Sequence, residues 1–205
     1  MEKNQSMWEW PTDRYAVWMS TRGVVQSADE SRGHPRGRRQ ATALEAKALA
    51  HPLRIRMLRL TAQQAMTNKQ LADRLEIDPG TALYHVRLLT EAGLMKQEPV
   101  RTGVSGALEK PYRSTGQSWW LDGPLADADP DGAFAPIQAF QDELREAGPE
   151  SVQTFDRFLL HLSAADVETL ERRILAILDE YVETDGERLD QPALGGIFVL
   201  HRLPE

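Results

Sequence analysis

The stretch TNKQLADRLEIDPGTALYHVRLLTEAG, residues 67–93, decides the fold. Thr67 stands three residues before Gln70, the spacing at which a hydroxyl and an amide satisfy each other's backbone donors in a capping box. Leu71 and Leu75 follow four residues apart, so the spacing predicts a helix over Asn68–Leu75. Glu76-Ile77 leaves room only for a turn. Asp78 then suits an N-cap, and Pro79 suits the first position of a second helix. Ala82, Val86 and Leu89 repeat at spacings of 4 and 3 on one face, and Gly93 is the expected left-handed terminator. Two short helices across a tight turn make a helix-turn-helix, whose second helix projects side chains into a DNA major groove.

Downstream the period changes. Leu94–Gln97 and Val100-Arg101 read as an edge strand, Thr102–Gly106 as a turn and Glu109–Arg113 as the return strand, with Trp119-Trp120-Leu121 extending it or packing on the core. A basic hairpin after the second helix is a wing, so the pattern is a winged helix-turn-helix. With Ala82, Val86 and Leu89 turned inward, Pro79, Gly80, Thr81, Leu83, Tyr84 and Arg87 are left to meet DNA, together with Thr67 and Asn68 at the start of the first helix. Gly80 and Thr81 are small enough for close backbone approach, while Tyr84 and Arg87 reach base edges or phosphates. Arg101, Lys110 and Arg113 of the wing suit phosphates or the minor groove. His85 reads first as a packing residue, and Arg54, Arg56 and Arg59 stay open between phosphate contact and a solvated face.

Upstream, Ala41–Ala50 is an alanine-rich helix broken by His51-Pro52, and a second helix runs through Leu53, Ile55, Met57, Leu58 and Leu60. The sequence from Ala48 to Leu58, ALAHPLRIRML, resembles the opening helices of the ArsR-like winged-helix regulators. Gln70-Leu71-Ala72 and Leu83–Leu94 are similar to that family's helix-turn-helix, and Gly106–Arg113 resembles the wing of an actinobacterial-looking branch. The resemblance covers about residues 41–116 and implies a homodimeric transcriptional regulator, often a repressor released by a ligand. Two departures stand out. The family's metal sensors use cysteine pairs or His/Asp/Glu sets, whereas this chain has no cysteine and its five histidines form no pair at ligand spacing. Leu83 also replaces a serine frequent in the family.

In the C-terminal half, helices are expected over Ala133–Ala147, Glu150–Leu160 and Ala164–Glu183, the last with a capping box from Ser163 and Asp166. Val167, Leu170, Ile174, Ile177 and Tyr181 follow the 3,4 spacing of a coiled-coil seam and are the candidate dimer interface; an intramolecular three-helix core is the alternative. Phe134, Phe140, Phe155, Phe158 and Leu159 are expected to pack in a core, or else to line a pocket for an apolar effector. Gly195–Leu203 reads as a terminal strand.

The fold class expected is therefore mainly α with a small β wing. The domains are a Trp-containing segment and basic linker (1–40), the winged helix-turn-helix (41–121), an acidic linker (122–132) and a helical dimerisation or effector region (133–205). Trp8, Trp10 and Trp18 in the first segment suggest that it buries something, and Arg32, Arg36, Arg38 and Arg39 make its end a basic linker or a minor-groove arm. The 205 residues carry a net charge of −7, but unevenly: −2 over residues 1–31, +8 over 32–116 and −13 over 117–205. A basic block beside an acidic one suits a DNA-binding module joined to a part that phosphate repels. No apolar run is long enough to span a membrane, and the start lacks a signal peptide, so a cytoplasmic protein is expected. No dinucleotide fingerprint, phosphate loop or nucleophile elbow occurs, which argues against an enzyme and for no cofactor and no metal. The expected partners are double-stranded DNA and a second copy, with a small-molecule effector left open; the alternative is a winged-helix module that docks a protein.

Overall fold

Local rules place most of the helices. The computed structural model of the chain describes residues 37–103, 106–122 and 130–203. The expectations for Trp8, Trp10, Trp18, Arg32 and Arg36 lie outside the described residues, as do the turn residues 104–105 and the linker residues 123–129.

After a short strand β1 (Arg39–Gln40), helix α1 (Ala43–Leu49) starts on a capping box of Thr42 and Glu45. Helix α2 (Pro52–Gln63) has His51 as N-cap, its Nδ1 accepting from the Leu53 N–H at 3.2 Å. Strand β2 (Met66–Thr67), not foreseen from the sequence, leads into α3 (Asn68–Leu75) through the Thr67–Gln70 box. Glu76, with φ 54, ends α3 in the left-handed region. Asp78 caps α4 (Pro79–Glu91), and Gly93, with φ 70, lets the chain turn into β3 (Met95–Gln97).

Strands β4 (Arg101–Thr102) and β5 (Leu108–Glu109) pair antiparallel as the wing tip, and β6 (Pro111–Ser114) returns between β2 and β3 to give the sheet order β2-β6-β3. Trp119-Trp120 do not extend the wing. They sit in a 3-10 turn, and the following strand β7 (Leu121–Asp122) pairs parallel with β1. Arg39, Gln40 and Asp122 are thus strand residues where linker was expected.

One apolar core joins these elements: Ala48, Met57, Leu71, Ala82, Val86 and Leu89 are at most 1% exposed, and Leu94 and Met95 close it from the sheet side. The inward face of α4 is therefore the one that the 4,3 spacing defines. From Arg38 onward the described chain belongs to one compact unit. Helices α5 (Pro130–Ala133) and α6 (Ala135–Ala147) follow, and α6 packs on α2. The long helix α7 (Ala164–Glu183) begins on the Ser163–Asp166 capping box, whose hydrogen bonds hold the Asp166 carboxyl below its usual range.

Two expectations fail. Instead of a helix over Glu150–Leu160 there is one 3-10 turn, Pro149–Ser151, and irregular chain to Ser163. No side chain caps that turn, the β-branched and aromatic residues Val152, Thr154, Phe155 and Phe158 favour helix weakly, and no neighbouring surface covers them. Gly195–Leu203 forms no strand either, because no described strand lies beside it to complete a ladder.

Candidate nucleic-acid interface

The outer face of α4 is open. Pro79, Gly80, Thr81, Tyr84 and Arg87 are exposed, Tyr84 at 57%, and Leu83 is half-buried. Gly80, Tyr84 and Arg87 fall 4 and 3 residues apart, so they share one stripe. The helix N-terminus is already served. Asp78 Oδ1 accepts from the N–H groups of Gly80 (2.7 Å) and Thr81 (3.3 Å). A Cβ on Gly80 would lie 2.8 Å from that same oxygen, so the absence of a side chain at this position serves the cap before it serves any groove.

Thr67 is buried and engaged in its capping box. Asn68 donates from Nδ2 to the Pro79 carbonyl (2.9 Å) and so ties the start of α3 to the start of α4. Its Oδ1 is buried without a partner among the described residues. On the wing, Arg101 pairs with Glu109 across the β4–β5 register (3.0 Å) and Arg113 with Glu98 (3.8 Å). Lys110 and Arg87 make no ion pair among the described residues. Arg101 and Arg113 also line an open polar cleft of about 600 Å³ with Gln64, Gln70, Asp73 and Arg74.

Behind α4, Arg54 is only 6% exposed. Its Nε donates to the Ala48 carbonyl and its Nη2 to the Lys47 carbonyl, both at 2.6 Å, so a cation closes the negative end of α1. Nη1 lies 3.5 Å from Nδ1 of His85, whose ring sits 4.7 Å from that of His51. Burial, with the His51 and Arg54 charges, pushes the His85 pKa down to about 4, and burial lowers His51 as well. His85 is thus a packing residue, neutral at pH 7.

Arg56 and Arg59 are held in ion pairs within the protein. Arg56 pairs with Glu146 (2.7 Å), Arg59 with Glu143 (3.0 Å), and Arg74 of α3 also contacts Glu146. Burial raises the Glu143 pKa against the pull of Arg59 and Arg56. At β1, Arg39 forks onto Glu45, and with Thr42 it holds that carboxyl down at about 2. Part of the basic block is therefore neutralised by α6, and Arg87 of α4 and Lys110 of the wing are left without an ion pair among the described residues.

Residues 49–98 match the family model of a helix-turn-helix domain. This segment carries α3 and α4, the two helices of the helix-turn-helix described above. The match falls on the helices that carry the ArsR-like resemblance, and with the β2-β6-β3 sheet and the β4–β5 hairpin the fold is a winged helix-turn-helix. Solved structures similar to the chain include the homodimeric winged helix-turn-helix DNA-binding domain of Mb0332 from Mycobacterium bovis, at 26% identity over 52% of this chain and 83% of that one, with a TM-score of 0.32. A ZitR variant from Lactococcus lactis is similar at 16% identity over 83% and 97% of the two chains, TM-score 0.27. The adhesin competence repressor AdcR from Streptococcus pyogenes is similar at 14% identity over 82% and 90%, TM-score 0.28. No curated protein matches the chain.

Among the expected dimer residues, Val167, Ile177 and Tyr181 are 37%, 57% and 63% exposed, and Leu170 and Ile174 are half-buried. Among the described residues no three-helix core forms around them; Asp179, off this stripe, is the one buried residue of α7. Phe134, Phe155, Phe158 and Leu159 are all more than half exposed, so they do not fill a core among the described residues. No helix of the described residues is long and apolar enough to cross a membrane.

Proposed function

We propose that this chain is a sequence-specific transcription regulator, a cytoplasmic repressor without catalytic activity, acting as a homodimer on a palindromic operator. One observation carries the reading: the α4 face opposite the core is exposed as a stripe of Gly80, Tyr84 and Arg87, flanked by a basic hairpin, while acidic α6 is turned onto the arginines of α2 and α3. Gly80 and Thr81 allow close approach to the groove, Tyr84 and Arg87 read base edges, and Lys110, Arg101 and Arg113 grip the backbone. Thr67 and Asn68 hold the start of α3 against a phosphate through its backbone. Their own side chains are engaged in the fold, so their part is positional.

The two-fold partner is a second copy meeting along Val167, Leu170, Ile174, Ile177 and Tyr181, which places two α4 helices for two half-sites. Mobility-shift assays on genomic fragments, with sedimentation of the free protein, test this. A salt-dependent complex with a subset of fragments and a sedimenting dimer are expected; a monomer that binds no fragment at low salt overturns the reading and leaves protein docking in its place.

A further inference from the structure

Residues 152–163 and 192–203, which bracket α7, are the least satisfied part of the described chain. Among the described residues, no backbone group between 153 and 162, or between 192 and 203, has a backbone hydrogen-bond partner. The side chains are equally uncovered. Seventeen large apolar residues between Val152 and Leu203 each expose 36% or more of their surface, Phe155 reaching 81%. At roughly 150 Å² for each fully exposed large side chain, this is on the order of 1,000 Å² of apolar surface. A standard interface buries about 800 Å² on each partner, so the exposed apolar area is enough for one.

Composition tells what these segments form when covered. Phe158-Leu159-Leu160 and Ile197-Phe198-Val199-Leu200 are aromatic, branched and strand-favouring. Both segments lack only a neighbour to hydrogen-bond with. Charge does not oppose self-association here. The region 117–205 carries −13, but residues 153–162 sum to zero, with Asp156 and Arg157, and residues 192–203 to +1, from Arg202.

We infer that residues 153–162 and 192–203 become β-strands against a second copy of this chain, forming an intermolecular sheet that lies beside the exposed face of α7. A two-fold axis sets each segment antiparallel to the equivalent or neighbouring segment of the other copy, so donors and acceptors are answered and apolar side chains are covered in one step. This rests on the homodimer reading and adds the elements that build the interface: the strands that the isolated chain cannot complete, with the helix seam beside them.

Amide hydrogen exchange on the full chain, with sedimentation and the amide I infrared band at the same concentrations, tests it. A sedimenting dimer with amides in both segments slowed at least about a hundredfold over free peptide, and an infrared β signal larger than the short strands described here supply, supports the inference. A dimer whose two segments exchange at free-peptide rates overturns it and leaves the α7 seam as the interface. A protein that stays monomeric at all concentrations overturns both.

Discussion

Arg38 and Asp179 form an ion pair across 141 residues of sequence, Nη2 to Oδ1 2.7 Å, with both side chains largely withdrawn from water. Trp119 Nε1 donates to the same oxygen at 2.7 Å, and the Arg38 guanidinium lies 4.8 Å from the Trp119 ring centre while also donating to the Trp119 carbonyl. This cluster docks α7 on the winged domain. Removing one partner of a buried, hydrogen-bonded pair strands the other charge, at a cost of about 3 kcal/mol. Asp179→Ala is therefore expected to lower the unfolding free energy by roughly that amount and to speed amide exchange throughout α7, while Asp179→Asn, which keeps an acceptor for Trp119, costs less. Unchanged exchange in residues 164–183 of Asp179→Ala counts against the docking role.

The residues proposed to face DNA are expected to separate by what they read. Tyr84 is 57% exposed and packs only edge-on to His85, ring centres 5.3 Å apart, so Tyr84→Ala is expected to change stability by less than about 0.5 kcal/mol. It is expected to alter the sequence preference of binding. Lys110→Ala is expected to weaken all sequences alike and to reduce the slope of log K against log salt by about one. Titrations of operator and scrambled duplexes at several salt concentrations compare the two; a Tyr84→Ala protein with unchanged preference removes the α4 stripe from base readout.

Gly80 gives a test of the cap. In an exposed helix alanine is favoured over glycine by about 1 kcal/mol. Here a Cβ would press on Asp78 Oδ1, the acceptor for two helix N–H groups. Gly80→Ala is expected to destabilise in the native background, because it displaces a cap worth about 1 kcal/mol. In an Asp78→Ala background the same change is expected to stabilise. Urea denaturation of the four proteins gives the coupling, and equal effects in both backgrounds dispose of the idea.

The legible part of this fold was the local part. Thr67 with Gln70, Asp78 with Pro79, and Ser163 with Asp166 each act within three residues, and all three helix starts stand where those pairs put them. The 4,3 spacing of Ala82, Val86 and Leu89 gave the inner face of α4, and so its outer one. What stayed hidden is non-local. Nothing near Asp179 in sequence marks it as a ligand for Arg38 and Trp119, and Arg54 reaches carbonyls of the previous helix across the His51-Pro52 break. Arg56 and Arg59 read as outward cations because Glu143 and Glu146, some eighty to ninety residues on, are invisible to composition. Glu150–Leu160 misled because apolar spacing alone does not separate a helix from a segment awaiting a neighbour.

Acid should loosen the winged domain before it titrates the carboxylates. The His85 pKa is about 4 in the fold and near 6.5 in an unfolded chain. Between those values the unfolded chain binds more protons, so stability is full above about pH 6.5 and falls as pH drops toward 4. His51 adds to this in the same direction, its pKa lowered by burial and by Arg54. Glu45, held at about 2 by Arg39 and Thr42, contributes stability that is lost only below about pH 4.5. A decline of roughly 2 kcal/mol between pH 7 and 4.5 is expected in urea unfolding, and His85→Gln is expected to flatten most of it. A pH-independent midpoint across that range contradicts the burial of a neutral His85.

Glu146 of α6 holds both Arg56 and Arg74, and Arg74 lines the cleft that Arg101 and Arg113 share beside the wing. While Glu146 is charged, two cations of the winged domain are answered from within. Glu146→Gln frees them without altering shape. The pairs are partly exposed, so the loss in stability is expected to stay below about 1 kcal/mol. Freed guanidinium groups then add to the field over the winged domain. Affinity for non-specific duplex at low salt is expected to rise several-fold, with a salt slope steeper by up to two. Glu150→Gln, which removes an equal charge without an arginine partner among the described residues, separates release of Arg56 and Arg74 from a change in net charge alone. If the two variants gain equally, α6 acts on DNA binding only through its overall charge, and the local pairing has no part in it.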